Sequence, residues 1–96
     1  MYILITYDVS TSDPQGAKRL RKVARICQNY GQRVQNSVFE CLVDPAQFAV
    51  LKHQLLDTIN DEEDSLRIYQ LGKNYSSHIE IYGRATSFEI EGELII

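Results

Sequence analysis

Three groups of residues have the types and spacing to do chemistry. Asp8 closes the run Tyr2-Ile3-Leu4-Ile5-Thr6-Tyr7-Asp8. A carboxylate fixed where a rigid strand meets its loop can hold a metal ion or a reacting group in register. Lys18, Arg19, Arg21, Lys22 and Arg25 crowd one later segment, where they could pair with phosphate. Arg33, Ser37 and Phe39 share a third stretch. Each group also has a plain alternative. A lone Asp after a strand is more often a turn residue that accepts backbone hydrogen bonds. A basic helix face is usually only solvated, and Tyr7, Tyr30 and Phe39 read as packing before base stacking. His53 and His78 are isolated, with no metal-ligand spacing to a second His, and read as surface residues. Cys27 and Cys41 lie too far apart for a CxxC redox or zinc motif and read as buried thiols of a reducing compartment. There is no Walker loop, GxGxxG, nucleophile elbow or Cys/His constellation.

The charge pattern sharpens the second group. The net charge is −3, yet from Pro14 to Phe39 there are six basic residues and no acid. From Glu40 to Asp64 there are seven acids and one base, Lys52. A single-sign stretch of this kind makes a local field that attracts phosphate while the whole chain stays acidic.

The elements that must position these groups follow in order. Tyr2 to Asp8 is β-branched, aromatic and apolar, with no Gly or Pro, and reads as a strand. Asp13 is a natural N-cap and Pro14 suits the first helical position, so a helix is expected from Pro14 to about Asn29. Ala17, Leu20, Val23, Ala24 and Cys27 give it an apolar stripe. Gly31 would close it as a left-handed cap. Gln32 to Val43 is extended, with a short strand, a turn at Asn36-Ser37 and a longer strand. Asp44-Pro45 repeats the helix-start device, and a second helix should reach about Asn60 with Phe48, Leu51, Leu55 and Ile59 on one stripe. Asp61-Glu62-Glu63-Asp64 reads as a solvated loop. Leu66 to Leu71 and Ile79 to Tyr82 read as strands, and the apolar end, Leu94-Ile95-Ile96, as part of a last strand that pairs with a neighbouring sheet.

Strand, helix, strand, strand, helix, strand is the α+β, ferredoxin-like βαββαβ plan: an antiparallel sheet with both helices on one face. At 96 residues and 44 % apolar content, residues 1–96 are expected to form one domain. Neither face of the first strand is polar, so two sheets facing each other in a homodimer are expected to cover the helix-free side. No segment has the ~20 apolar residues that cross a bilayer. The strand follows Met1 without a basic leader, so a cytoplasmic location is expected.

Tyr7-Asp8-Val9-Ser10, the basic helix, and then Tyr30-Gly31-Gln32-Arg33-Val34-Gln35-Asn36-Ser37-Val38-Phe39-Glu40 together resemble the Cas-two family of CRISPR-associated proteins. The resemblance covers essentially the whole chain, including Gln70-Leu71-Gly72, and is weakest after Tyr82. It implies a ferredoxin-like homodimer whose C-terminal strands often cross to the partner. It implies a Mg²⁺-dependent endonuclease on double-stranded DNA or single-stranded RNA, with Mn²⁺ as a substitute. It also implies a part in spacer acquisition, where the dimer bridges dimers of the integrase subunit and catalysis can be dispensable. In this resemblance Asp8 matches the metal-binding aspartate and Tyr7 its neighbour, while Arg33, Ser37 and Phe39 match positions around the site. Arg19 and Arg21 are the chosen matches to family arginines, with Lys18, Lys22 and Arg25 as backbone contacts.

A homodimer makes this chemistry coherent. One carboxylate is a poor Mg²⁺ site, and two Asp8 side chains across a two-fold axis are a better one. Cleavage should then need divalent metal and fall at acid pH, where Asp8 protonates. A non-catalytic DNA-binding scaffold is the alternative from a different class. An mRNA-cleaving toxin of similar fold is a third reading. Without the resemblance, the residues indicate only a dimeric ferredoxin-like domain, such as a small-ligand regulator.

Overall fold

A computed structural model describes residues 1–72 and 78–84. The elements are β1 (Tyr2–Asp8), α1 (Pro14–Gln28), β2 (Gly31–Gln35), β3 (Val38–Leu42), α2 (Pro45–Thr58), β4 (Ser65–Leu71) and β5 (His78–Gly83). The expected strand from Phe88 to Ile96 lies outside the described residues.

Local chemistry sets the helix boundaries. The Asp13 carboxylate accepts from the Gln15 backbone N–H at 3.1 Å, and Pro14 follows it. Asp44 makes a full capping box: it accepts from the Gln47 N–H at 2.7 Å, and the Gln47 side chain accepts from the Asp44 N–H at 3.0 Å. Both helices stop a residue or two earlier than their apolar spacing suggests.

The five strands form one antiparallel sheet in the order β2-β3-β1-β4-β5, so the ferredoxin-like core order carries β5 as an added edge strand. Ile5 pairs with Phe39 on one side and Ile68 on the other, and this row faces the helices. Ile3, Ile5, Tyr7, Phe39, Cys41, Leu66 and Ile68 pack there against Leu20, Val23, Cys27, Leu51 and Leu55 in a single core. The opposite face carries rows such as Val38, Thr6, Arg67, Ile81 and Glu40, Leu4, Tyr69, Ile79. Large apolar side chains stand in water on it, with Leu42 72 % exposed. Among the described residues, no helix is long and apolar enough to cross a membrane.

Two expectations fail here. Gly31 does not close α1 as a left-handed cap; it opens β2, and the only positive-φ glycine among the described residues is Gly83. Gly31 is needed because β2 and β3 approach closely: a Cβ there would sit 1.9 Å from the Glu40 carbonyl oxygen. The expected longer strand after Asn36-Ser37 is also no longer than the one before it, since β2 and β3 each have five residues.

A third failure matters more. The run Asp61 to Asp64 is not simply a solvated loop, because Asp64 is completely buried. Its carboxylate accepts from the Tyr7 hydroxyl in β1 and from the Asn60 backbone N–H at 2.9 Å. Arg19 of α1 grips it with Nε to Oδ2 at 2.8 Å and a terminal nitrogen to Oδ1 at 2.9 Å. Burial pushes the Asp64 carboxyl upward, but the bonds from Arg19, Tyr7 and Asn60 outweigh it and hold the group below the ordinary carboxylate value. Burial and then Asp64 push the Tyr7 hydroxyl well above its ordinary value. A second, smaller tie fixes β5 to α2: Lys52 Nζ meets Glu80 Oε1 at 3.0 Å, and the Tyr82 hydroxyl donates to the same oxygen at 2.5 Å. The Tyr82 hydroxyl is pushed up to about 12, first by that bond and then by burial.

Two outcomes follow from this packing. Gly31→Ala should cost at least about 2 kcal/mol, because the obstructing atoms are backbone; a denaturant midpoint equal to that of the unchanged chain would reject the close-approach account. Arg19→Leu should cost about 3–5 kcal/mol by stranding a buried charge, and Arg19→Leu/Asp64→Asn should recover much of it. The Asp64 contribution should be complete above about pH 4, the unfolded carboxylate value, and be lost as pH falls through the lower folded value. Midpoints measured down the acid range should therefore fall more steeply for the unchanged chain than for the double variant.

Candidate functional site

Strand alternation divides the residues singled out in the sequence between the two sides of the sheet. Asp8 is the last residue of β1, exposed, and on the helix-free face. Its partner across the ladder is Ser65, which in turn pairs with Gly83, so the residues beside it on that side of the sheet are small. Tyr7, one residue earlier, points the other way. It is 1 % exposed, and its hydroxyl is held by Asp64 on the helix side. The Tyr7 hydroxyl therefore does not share a site with the Asp8 carboxylate.

The β2–β3 turn reaches the same end of β1. The Ser37 carbonyl accepts from the Tyr7 backbone N–H at 3.0 Å, which sets the turn beside the Asp8 end of the strand. Arg33 is exposed and builds that turn: its Nε donates to the Asn36 carbonyl at 2.7 Å and a terminal nitrogen to Asn36 Oδ1 at 3.3 Å. Its guanidinium lies 5.7 Å from the Phe39 ring centre. Phe39 is fully buried, so no ring face is open to a base.

The five cations of α1 also divide. Lys18, Arg21, Lys22 and Arg25 are exposed on the outer face, with no acid in that helix. Arg19 turns inward to Asp64 and also meets Glu63 at 3.3 Å, leaving 17 % of its side chain exposed. Its guanidinium is committed to that carboxylate, unlike its four neighbours. Asp64 is the residue that sequence reasoning missed. Nothing in the charge pattern separates it from Asp61, Glu62 and Glu63. The one local signal is its place immediately before a buried strand.

Asp8 supplies the hard anionic oxygen that Mg²⁺ or Mn²⁺ prefers. Among the described residues, no group of three or more His, Cys, Asp or Glu side chains could hold a metal. One chain thus fits such an ion in donor type but offers only part of a coordination set.

The fold has close counterparts. The crystal structure of Streptococcus pyogenes Cas2 at pH 6.5 superposes with a TM-score of 0.74 at 59 % identity, covering 78 % of this chain and 90 % of that one. A protein of Halalkalibacterium halodurans named CRISPR-associated endonuclease Cas2 is 59 % identical over 99 % of both chains. One of Nitratidesulfovibrio vulgaris named CRISPR-associated endoribonuclease Cas2 is 54 % identical over 100 % of this chain and 94 % of its own length. The family model for CRISPR associated protein Cas2 matches residues 1–79. With that match spanning all of the described core up to β5, the chain belongs to the Cas2 family of CRISPR-associated proteins.

Proposed function

We propose that this protein is a metal-dependent endonuclease that hydrolyses phosphodiester bonds in nucleic acid, working as a homodimer in CRISPR spacer acquisition. The observation that carries the reading is the exposed Asp8 carboxylate at the end of the central strand, on the face the helices leave open. That face also presents Tyr2, Leu42, Leu71 and Ile81 to solvent, and burying such surface is what makes a second copy a stable neighbour. A two-fold axis there would bring two Asp8 carboxylates together as ligands, with water to fill the remaining positions. The names of the relatives, endonuclease and endoribonuclease, support a nucleic-acid substrate.

In this reading, each residue does what its position allows. Asp8 holds Mg²⁺, or Mn²⁺ in its place. The bound ion would lower the barrier by activating water and offsetting charge on the phosphate. Lys18, Arg21, Lys22 and Arg25 pair with the nucleic-acid backbone and give affinity without base preference. Arg33 and Ser37 fix the turn beside the strand end.

A second reading, a DNA-binding scaffold that bridges dimers of the integrase subunit, is favoured by a different observation. Among the described residues, the cationic face of α1 is built in one chain, whereas a full set of metal ligands is not. The two readings separate in one experiment. Asp8→Asn should abolish Mg²⁺-dependent cleavage of duplex DNA and single-stranded RNA, and undiminished cleavage would reject Asp8 as the ligand. If the same variant still supports spacer acquisition, the scaffold role is sufficient in the cell. For the basic face, Lys22→Ala or Arg25→Ala should weaken duplex DNA binding across all sequences. Each should also reduce the slope of log K against log salt by about 0.9 per phosphate that is no longer neutralised. Filter binding across a salt series measures this, and an unaltered slope would remove that side chain from the interface.

A further inference from the structure

Asp8 is the last residue of its strand, and strand ends are where ladders open most easily. A metal ligand in that place needs its backbone fixed by something beyond the ladder. The structure assigns that task to one buried carboxylate: we propose that Asp64, held by Arg19 and gripping Tyr7, forms with them a positioning set that fixes Asp8 from the opposite side of the sheet. The inference rests on the reading of Asp8 as the metal ligand.

The geometry reaches Asp8 by two routes. Through the Tyr7 hydroxyl, Asp64 ties down the residue immediately before Asp8 in β1. Through its own chain, it leads into Ser65, the ladder partner of Asp8. The carboxylate is itself fixed from three further directions, by the two Arg19 nitrogens and the Asn60 N–H. Its backbone is pinned as well: the Asp64 N–H donates to the Asn60 carbonyl at 2.8 Å, and the Asp64 carbonyl accepts from the Arg84 N–H at 2.6 Å. Gly83 has a φ of 93°, and a Cβ there would lie 2.2 Å from that same carbonyl oxygen, so the chain from β5 closes tightly over the site. These side-chain bonds lie on the helix side of the sheet, opposite the face that carries Asp8. In this proposal the set acts through placement of the β1 backbone.

Tyr7→Phe is the informative variant, since it removes one hydroxyl and keeps the ring packing. It is paired with Asp64→Asn and with Asp8→Asn, each confirmed as folded by circular dichroism and assayed well below its melting temperature. Mn²⁺ affinity is read from water-proton relaxation, backbone opening from amide exchange at Asp8 and Ser65, and cleavage as kcat and KM. The expected result for Tyr7→Phe is Mn²⁺ binding weakened about 10-fold, faster exchange at Asp8 with Ile3 to Ile5 unchanged, and a lower kcat at constant KM. Should Asp64→Asn fail to fold, Tyr7→Phe alone decides. Unchanged Mn²⁺ affinity and Asp8 exchange in Tyr7→Phe, with Asp8→Asn abolishing binding, would overturn the positioning role. Unchanged Mn²⁺ binding in Asp8→Asn would instead overturn the ligand reading on which that role depends.

Discussion

The Asp64 carboxylate sits where β1, α1 and the turn between α2 and β4 come together, shut off from the solvent that would otherwise stabilise its charge. Burying an ion of this kind is costly unless its lone pairs are filled and a counter-charge is close. Both conditions are met by groups from separate parts of the chain: a strand hydroxyl, a helix guanidinium and a loop N–H. A shift of α1 would take away the counter-charge, and a shift of β1 or of the loop would leave one of the carboxylate's lone pairs unfilled. The hydrophobic core could tolerate small slips of α1 over the sheet; a bidentate guanidinium–carboxylate pair cannot. Apolar burial supplies most of the driving force, and this pair sets the register at which it stops.

The same pair bears on how one short strand could combine packing with the proposed chemistry. Alternation sends Ile3, Ile5 and Tyr7 into the core and leaves Asp8 in the open. A strand that merely ended at Asp8 would present its carboxylate from a frayed tip. Here the preceding tyrosine is anchored and the facing residue, Ser65, follows directly from the anchor. The carboxylate proposed to hold the metal is thus displayed by backbone that is held from behind.

Much of this fold was legible in the sequence because it is written locally. Asp13-Pro14 and Asp44-Pro45 marked both helix starts, the 3–4 spacing of Leu20, Val23, Ala24 and Cys27 gave the buried side of α1, and uninterrupted β-branched residues gave β1. Asp8, as an exposed strand-end carboxylate, was equally visible. What stayed hidden depends on neighbours distant in sequence. Arg19 and Lys18 are adjacent cations on paper. Arg19, however, lies three residues after Gly16 and four before Val23, at the border of the buried stripe, where its long stem can reach inward. Asp64 and Asp61 differ only in which one abuts a strand. The requirement for Gly31 arises from a carbonyl in the next strand, so its helix-capping look was misleading.

The separations along the chain also set what must come together before this network can form. Arg19 and Asp64 are 45 residues apart, and Tyr7 and Asp64 are 57 apart. Closing loops of that length costs entropy that only prior docking of the strands and helices can offset. Until then, Asp64 loses nothing by remaining hydrated among its three acidic neighbours. The β1–β4 ladder spans similar separations, with Tyr7 opposite Leu66 and Asp8 opposite Ser65, so the buried pair closes only where that ladder has brought its partners together. It is a clasp between distant parts of the chain, made by three groups that no local signal connects.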